Sequence, residues 1–187
     1  MLKRIFDILL ALLILGILLI PIAVVALLVR LTSSGPILYW SNRVGKDNVI
    51  FSMPKFRTMK LNTPEVPSHS LVNPSIYLTP VGSFLRKSSL DELPQLWSIF
   101  HGDMSFVGPR PALFNQIELI KLRTNFRVNT LVPGLTGWAQ VNGRDELDDE
   151  AKVALDREYL ERQSFVFDLQ ILVLTFIKVI RIHGVSH

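Results

Sequence analysis

The sequence contains no cysteine. This excludes a disulfide scaffold, thiolate metal sites and thiol catalysis, and it suits a protein that faces the cytosol. Charge is scarce too: 19% of the 187 residues are Asp, Glu, Lys or Arg, against 49% hydrophobic. Soluble chains carry about 25% charged residues, so an ordinary soluble domain fits poorly. A disordered chain would need the opposite balance. Neither G-x-x-x-x-G-K-[ST] nor G-x-G-x-x-G is present, which removes the glycine-rich phosphate loops, and H-E-x-x-H and G-x-S-x-G are missing as well. The four histidines, His69, His101, His183 and His187, have no metal-ligand spacing and read as surface or structural residues.

What is present begins with apolar length. Ile8 to Val29 runs 22 residues without a charge. At about 1.5 Å per residue such a helix could just cross a hydrocarbon core of roughly 30 Å. It is too long for the core of a secretory signal, and no small-x-small cleavage site precedes the basic stretch. Pro21 interrupts the run, lacks an N–H and should kink the helix. Basic residues flank it on both sides: Lys3 and Arg4 before, then Arg30, Arg43, Lys46, Lys55, Arg57 and Lys60 after. The positive-inside rule draws both flanks to the cytoplasm. A re-entrant helix broken near Pro21 and a kinked crossing both fit these features. Residues 1–60 hold eight basic and two acidic side chains, whereas the rest is slightly acidic. The basic excess therefore lies where anionic headgroups or an anionic substrate would meet it. No Lys/Arg run or binding motif supports a nucleic-acid partner.

The remainder reads as α+β, mainly helical. Residues 37–53 alternate β-branched and aromatic residues around VGKDN and predict a short hairpin. Four prolines in 61–80 predict a loop. Helices are expected from near Ser89 to Phe100, over 112–128, over 148–162 and over 164–182. The last is too broken by polar residues to span a bilayer, and reads as a core helix or one lying in the membrane interface. The acidic run from Asp145 to Glu150 opens a predicted helix, where acids are favoured, and is preferred as a helix start over a metal site.

Chemistry concentrates in 86–111, RKSSLDELPQLWSIFHGDMSFVGPRP. Ser89-Leu90-Asp91-Glu92 fits a capping box, with Ser89 as N-cap and Glu92 reaching back. On one reading the two acids merely complement the helix dipole. On the other, the helix N-terminus holds Asp91 ionised, ready to ligate a divalent cation or attack phosphorus. Attack on a diphosphate brings anion to anion, so Mg²⁺ and the guanidinium groups of Arg86 and Arg110 would have to supply positive charge.

KFRTM (55–59), the 86–111 stretch and PGLTGWAQVNGR (133–144), in this order after KRIFD and an apolar helix, resemble the bacterial sugar transferase family. These are the small monotopic phosphoglycosyl transferases that start glycan assembly. The resemblance implies a re-entrant membrane helix over 1–30 and a compact, membrane-associated catalytic domain over 31–187, on the cytoplasmic face of the bacterial inner membrane. It implies transfer of a sugar-1-phosphate from a UDP-sugar to undecaprenyl phosphate, releasing UMP. Mg²⁺ would be the cofactor, and inner-membrane lipid and downstream glycosyltransferases would be partners. By the match Asp91 is the nucleophile of a ping-pong route and Glu92 its supporting carboxylate, with Mg²⁺ held by the pair. Arg86 and Arg110 match arginines near the phosphates, and Lys55, Arg57 and Arg144 match further basic positions. The family commonly breaks its helix at Ser-Pro; here the pair is Ile20-Pro21.

Overall fold

A computed structural model describes residues 2–64, 73–143 and 146–181. Arg144, Asp145, His69, His183 and His187 lie outside the described residues. Helix α1 spans Leu2–Thr32. Pro21 sits inside it with helical backbone on both sides, so the break expected near Pro21 can take the form of a bend and not of a loss of helix. The physical reason is that proline removes a single i→i−4 bond, while the uncharged residues on both sides keep the rest of the ladder.

Both ends of α1 are fastened to the domain that follows. Near its start, Lys3 Nζ donates to the Val107 carbonyl (2.9 Å), the Tyr159 hydroxyl (3.0 Å) and Asp168 Oδ2 (2.6 Å). Arg4 donates to the carbonyls of Ile99 and Phe100, and buried Asp7 accepts from the Phe106 N–H at 3.2 Å. Near its end, Val25 and Val29 pack with Phe56 and Leu85, and Arg57 Nη2 donates to the carbonyl and hydroxyl of Ser33. Between these anchors Ile17, Leu19 and Ile20 are exposed.

Strands β1 (Leu38–Val44) and β2 (Ile50–Phe56) form the expected antiparallel hairpin, with β2 reaching three residues further than the sequence suggested. That extension includes Lys55, paired in register with Tyr39. Asp47 and Asn48 take the left-handed turn conformation, a region their short polar side chains tolerate. Helix α2 (Gly82–Lys87) leads into a 3₁₀ turn over Leu90–Gln95 and then α3 (Leu96–His101). Strand β3 (Ser105–Val107) pairs in parallel with β4 (Gly134–Thr136). Close approach of the backbones requires glycine here, since a Cβ on Gly134 would stand 2.1 Å from the Gly108 nitrogen. The GPRP and PGLTG segments can therefore cross only as bare backbone.

Helix α4 covers Ile117–Asn125, shorter than the sequence suggested, and α5 covers Trp138–Val141. Helix α6 (Asp149–Arg162) starts where the acidic run placed it: Asp148 caps it by accepting from the Ala151 N–H at 2.7 Å. Helix α7 (Phe165–Arg181) does two things at once. Phe167 and Ile171 enter the main core beside Ala11, Ile99, Phe106 and Tyr159, whereas Val166, Val173, Phe176 and Val179 are exposed.

Candidate active site

The capping box predicted at Ser89 does not form. Ser89 takes a left-handed backbone (φ 57°, ψ 16°), and its side chain caps nothing. The following turn is 3₁₀ with Pro94 inside it, and proline disfavours α geometry in the residue before it. Freed from capping, Glu92 reaches across to the hairpin and to the GPRP segment. Its Oε1 accepts from Lys55 Nζ at 3.0 Å and from Arg110 Nη2 at 2.8 Å. Strand β2 packs on this turn, which is how Lys55 meets it.

Asp91 is buried beside this ion cluster, 8% exposed. Burial raises its pKa to about 6, and Glu92 adds to the rise; Lys55, Arg86 and Arg110 oppose it. The turn that carries Asp91 is 3₁₀ and not an α-helix N-terminus, and with a pKa of about 6 the carboxyl is still mostly ionised at pH 7. Lys55 is pulled down from its ordinary value by burial, against the attraction of Glu92. Arg86 projects from α2, donating through Nε to Thr58 Oγ1 (3.1 Å) and through Nη2 to Met59 Sδ (3.3 Å). Burial lowers its pKa, and Asp91 pulls it back up.

The backbone that carries Arg110 is held at two successive carbonyls. Arg123 Nη1 donates to the Arg110 carbonyl at 2.7 Å, and Arg123 is itself paired with buried Asp156 (2.7 and 3.0 Å). Arg43 Nη1 donates to the Pro111 carbonyl at 3.1 Å, and its Nε to Ser41 Oγ at 3.0 Å.

Chemically, a desolvated carboxylate stands among fixed cations, next to a second carboxylate whose charge two of them already balance. No group of three or more His, Asp or Glu that could hold a metal occurs among the described residues. Asp91 and Glu92 alone do not make a protein cage for Mg²⁺. They do fit an ion that takes one or two carboxylates and completes its shell with phosphate oxygens and water.

The bacterial sugar transferase family model matches residues 1–182. The chain belongs to this family. Among its relatives is the uncharacterized sugar transferase EpsL of Bacillus subtilis (strain 168), 39% identical over 99% of this chain and 90% of that protein. The UDP-glucose:undecaprenyl-phosphate glucose-1-phosphate transferase of Escherichia coli (strain K12) is 41% identical over 95% of this chain, which spans only 40% of that protein. The exopolysaccharide production protein ExoY of Sinorhizobium fredii is 39% identical over 92% of this chain and 83% of its own length.

Of the site residues read from this sugar transferase's sequence, the fold brings Lys55, Arg86, Asp91, Glu92 and Arg110 together. It does not bring Arg57 to them. That guanidinium is buried, with Nε on the Pro36 carbonyl (2.7 Å) and Nη2 on Ser33, tying the exit of α1 to the end of β2. Sequence reading counted Arg43 only as a flanking cation. Its place on the hairpin opposite residues 111–113, through the Arg43–Leu113 bridge, is a long-range pairing that no local pattern announces.

Proposed function

We propose that this chain transfers a sugar-1-phosphate from a UDP-sugar to undecaprenyl phosphate, releasing UMP, through a covalent phospho-sugar intermediate on Asp91. One observation carries the reading most: a buried carboxylate with Lys55, Arg86 and Arg110 acting on it, beside Glu92 already neutralised by two of those cations. A diphosphate entering there meets positive charge that the protein has fixed in advance. Relatives named for undecaprenyl-phosphate transfer support the same reaction.

In the first half, an Asp91 oxygen attacks the sugar-bearing phosphorus. The bond from that phosphorus to the bridging oxygen breaks, and its electron pair leaves on UMP. In the second half, a phosphate oxygen of undecaprenyl phosphate attacks the same phosphorus and the Asp91 carboxylate departs. No proton is gained or lost, and one phosphoanhydride replaces another, so no ATP site is required. Asp91 and Glu92 would hold Mg²⁺, which supplies charge neutralisation at the phosphate oxygens. Arg86 and Arg110 orient those oxygens, and Lys55 keeps Glu92 in place.

We place the chain on the cytoplasmic face of the bacterial inner membrane, with α1 dipping into one leaflet and returning. The fastening of both ends of α1 to one domain supports this, as do the exposed apolar side chains of α1 and α7. The decisive assay supplies UDP-sugars and polyprenyl phosphate in detergent and measures UMP. Wild type is expected to release UMP and, with donor alone, to gain the mass of a phospho-sugar on Asp91. Asp91→Asn should lower turnover by many orders of magnitude. Turnover that survives in this variant would falsify the assignment. Chelation of divalent ions should stop UMP release, and added Mg²⁺ should restore it.

A further inference from the structure

Residues 109–112 belong to no helix or strand, yet four successive carbonyls along them are held from outside. The Pro109 carbonyl accepts from the Gly134 N–H and the Ala112 carbonyl from the Val44 N–H, each at 2.9 Å. Between them, Arg43 Nη1 donates to the Pro111 carbonyl at 3.1 Å and Arg123 Nη1 to the Arg110 carbonyl at 2.7 Å. Prolines on both sides of Arg110 remove two N–H groups, and Pro111 restricts Arg110 itself to extended backbone. The Arg123 contact is the one made to the residue whose guanidinium meets Glu92, and it is itself fixed. Arg123 Nε and Nη2 both donate to Asp156 Oδ2, at 3.0 and 2.7 Å, in side chains only 11% and 1% exposed. Because the guanidinium is rigid and planar, anchoring two of its nitrogens sets the direction of the third.

Holding α4 on α6 does not require this pair. Leu119 of α4 and Val153 of α6 already share an apolar cluster with Ala112, and Ile120 and Leu122 pack against it. A buried ion pair adds little stability over apolar side chains of similar volume, since desolvating both ions offsets their attraction. What apolar side chains cannot supply is a donor aimed at one chosen carbonyl. That carbonyl belongs to Arg110, whose Nη2 donates to Glu92 Oε1 at 2.8 Å.

We infer that Arg123, oriented by Asp156, is a positioning residue for the transfer: it fixes where the Arg110 guanidinium stands beside Glu92. The inference rests on the transfer reaction proposed above. Arg123 works through the Arg110 carbonyl and not through contact with substrate. A cation set in advance against phosphate charge loses its effect when its backbone shifts, and a displacement of about 1 Å can cost on the order of 100-fold.

The test replaces the ion pair by apolar side chains, Arg123→Met together with Asp156→Val, in the detergent-solubilised full chain. Such a replacement spares the fold, so the melting temperature should not fall. In contrast, kcat/KM for UMP release should drop about 10- to 100-fold. The second reading is made in an Arg110→Ala background, with UMP followed over hours. That protein has no guanidinium left to position, so the same double replacement should change its turnover by less than about twofold. A merely structural pair would cost the same factor in both backgrounds, and that result overturns the inference. So does an unchanged kcat/KM in the folded, doubly substituted protein; either outcome leaves the transfer reaction standing. Should the doubly substituted protein not fold, Arg123→Lys takes its place. An ammonium keeps the charge beside Asp156 but not the fork that serves Asp156 and the carbonyl together, and the same two outcomes decide. Wild type that releases no UMP from any UDP-sugar brings down the underlying reaction, and this inference with it.

Discussion

Asp91 sits where its charge is least comfortable. Its folded pKa of about 6 exceeds the ordinary 3.8 because burial disfavours the ion more than three cations favour it. A carboxyl whose pKa is raised on folding destabilises the fold progressively as the pH climbs from the unfolded value of 3.8 to the folded value of about 6, and fully above it. Asp91→Asn should therefore stabilise the protein at pH 7–8 by about 1–3 kcal/mol while abolishing turnover, and the gain should vanish near pH 4. Thermal melts of both proteins across that range check the sign, and an asparagine variant that is less stable at neutral pH contradicts it. The same ionisation predicts that kcat/KM for UMP release falls below about pH 6 with unit slope. At this scale the sequence was informative about which side chains matter and silent about their state. Asp91 and Glu92 are conspicuous as a pair, yet the ion pairs of Glu92 reach residues 37 and 18 positions away. Burial of the pair depends on the same distant contacts. Arg43 went unrecognised for that reason.

Among the elements, periodicity and turn chemistry were legible where a segment's environment is local. The hairpin, the Asp148 cap and helix α7 follow their patterns. The capping box at Ser89 failed because Pro94 and the packing of β2 against 90–95 decide that turn, and neither is visible in a four-residue motif. The crossing of GPRP and PGLTG is the opposite case: glycines mark it, but only the fold shows that they face each other. Gly134→Ala should cost about 3 kcal/mol or more, because a methyl cannot share 2.1 Å with the backbone of Gly108. The displaced backbone leads from β3 directly into Arg110, so UMP release should fall along with the denaturation midpoint. Loss of stability with unchanged turnover would separate the crossing from the site. Lys3→Met leaves Asp168 buried with the Tyr159 hydroxyl but without its cation, and should cost about 2 kcal/mol.

Seen whole, the molecule is a domain straddled by its own apolar helix. Apolar length and flanking charge left a crossing and a re-entrant path equally open, since both place the same residues in lipid. The two paths differ in where the ends go, and the contacts of Lys3, Arg4 and Asp7 with the domain at one end and of Ser33 at the other favour the re-entrant path proposed above. The chain's lack of cysteine makes the test clean. Exposed Leu2 and Ser34, each replaced by cysteine, should react with an impermeant maleimide in inverted membrane vesicles and not in spheroplasts. Labelling of the Leu2→Cys variant from the periplasmic side would establish a crossing.

Lys3 closes its ion pair with a residue 165 positions away, so the joint between helix and domain cannot form until that distant stretch has been synthesised. On a ribosome the greasy segment emerges long before its binding surface has been made, and on the membrane placement proposed above lipid would be the first partner to shelter it. Maturation would then finish at the bilayer, with helix α7 arriving to lock a segment already immersed.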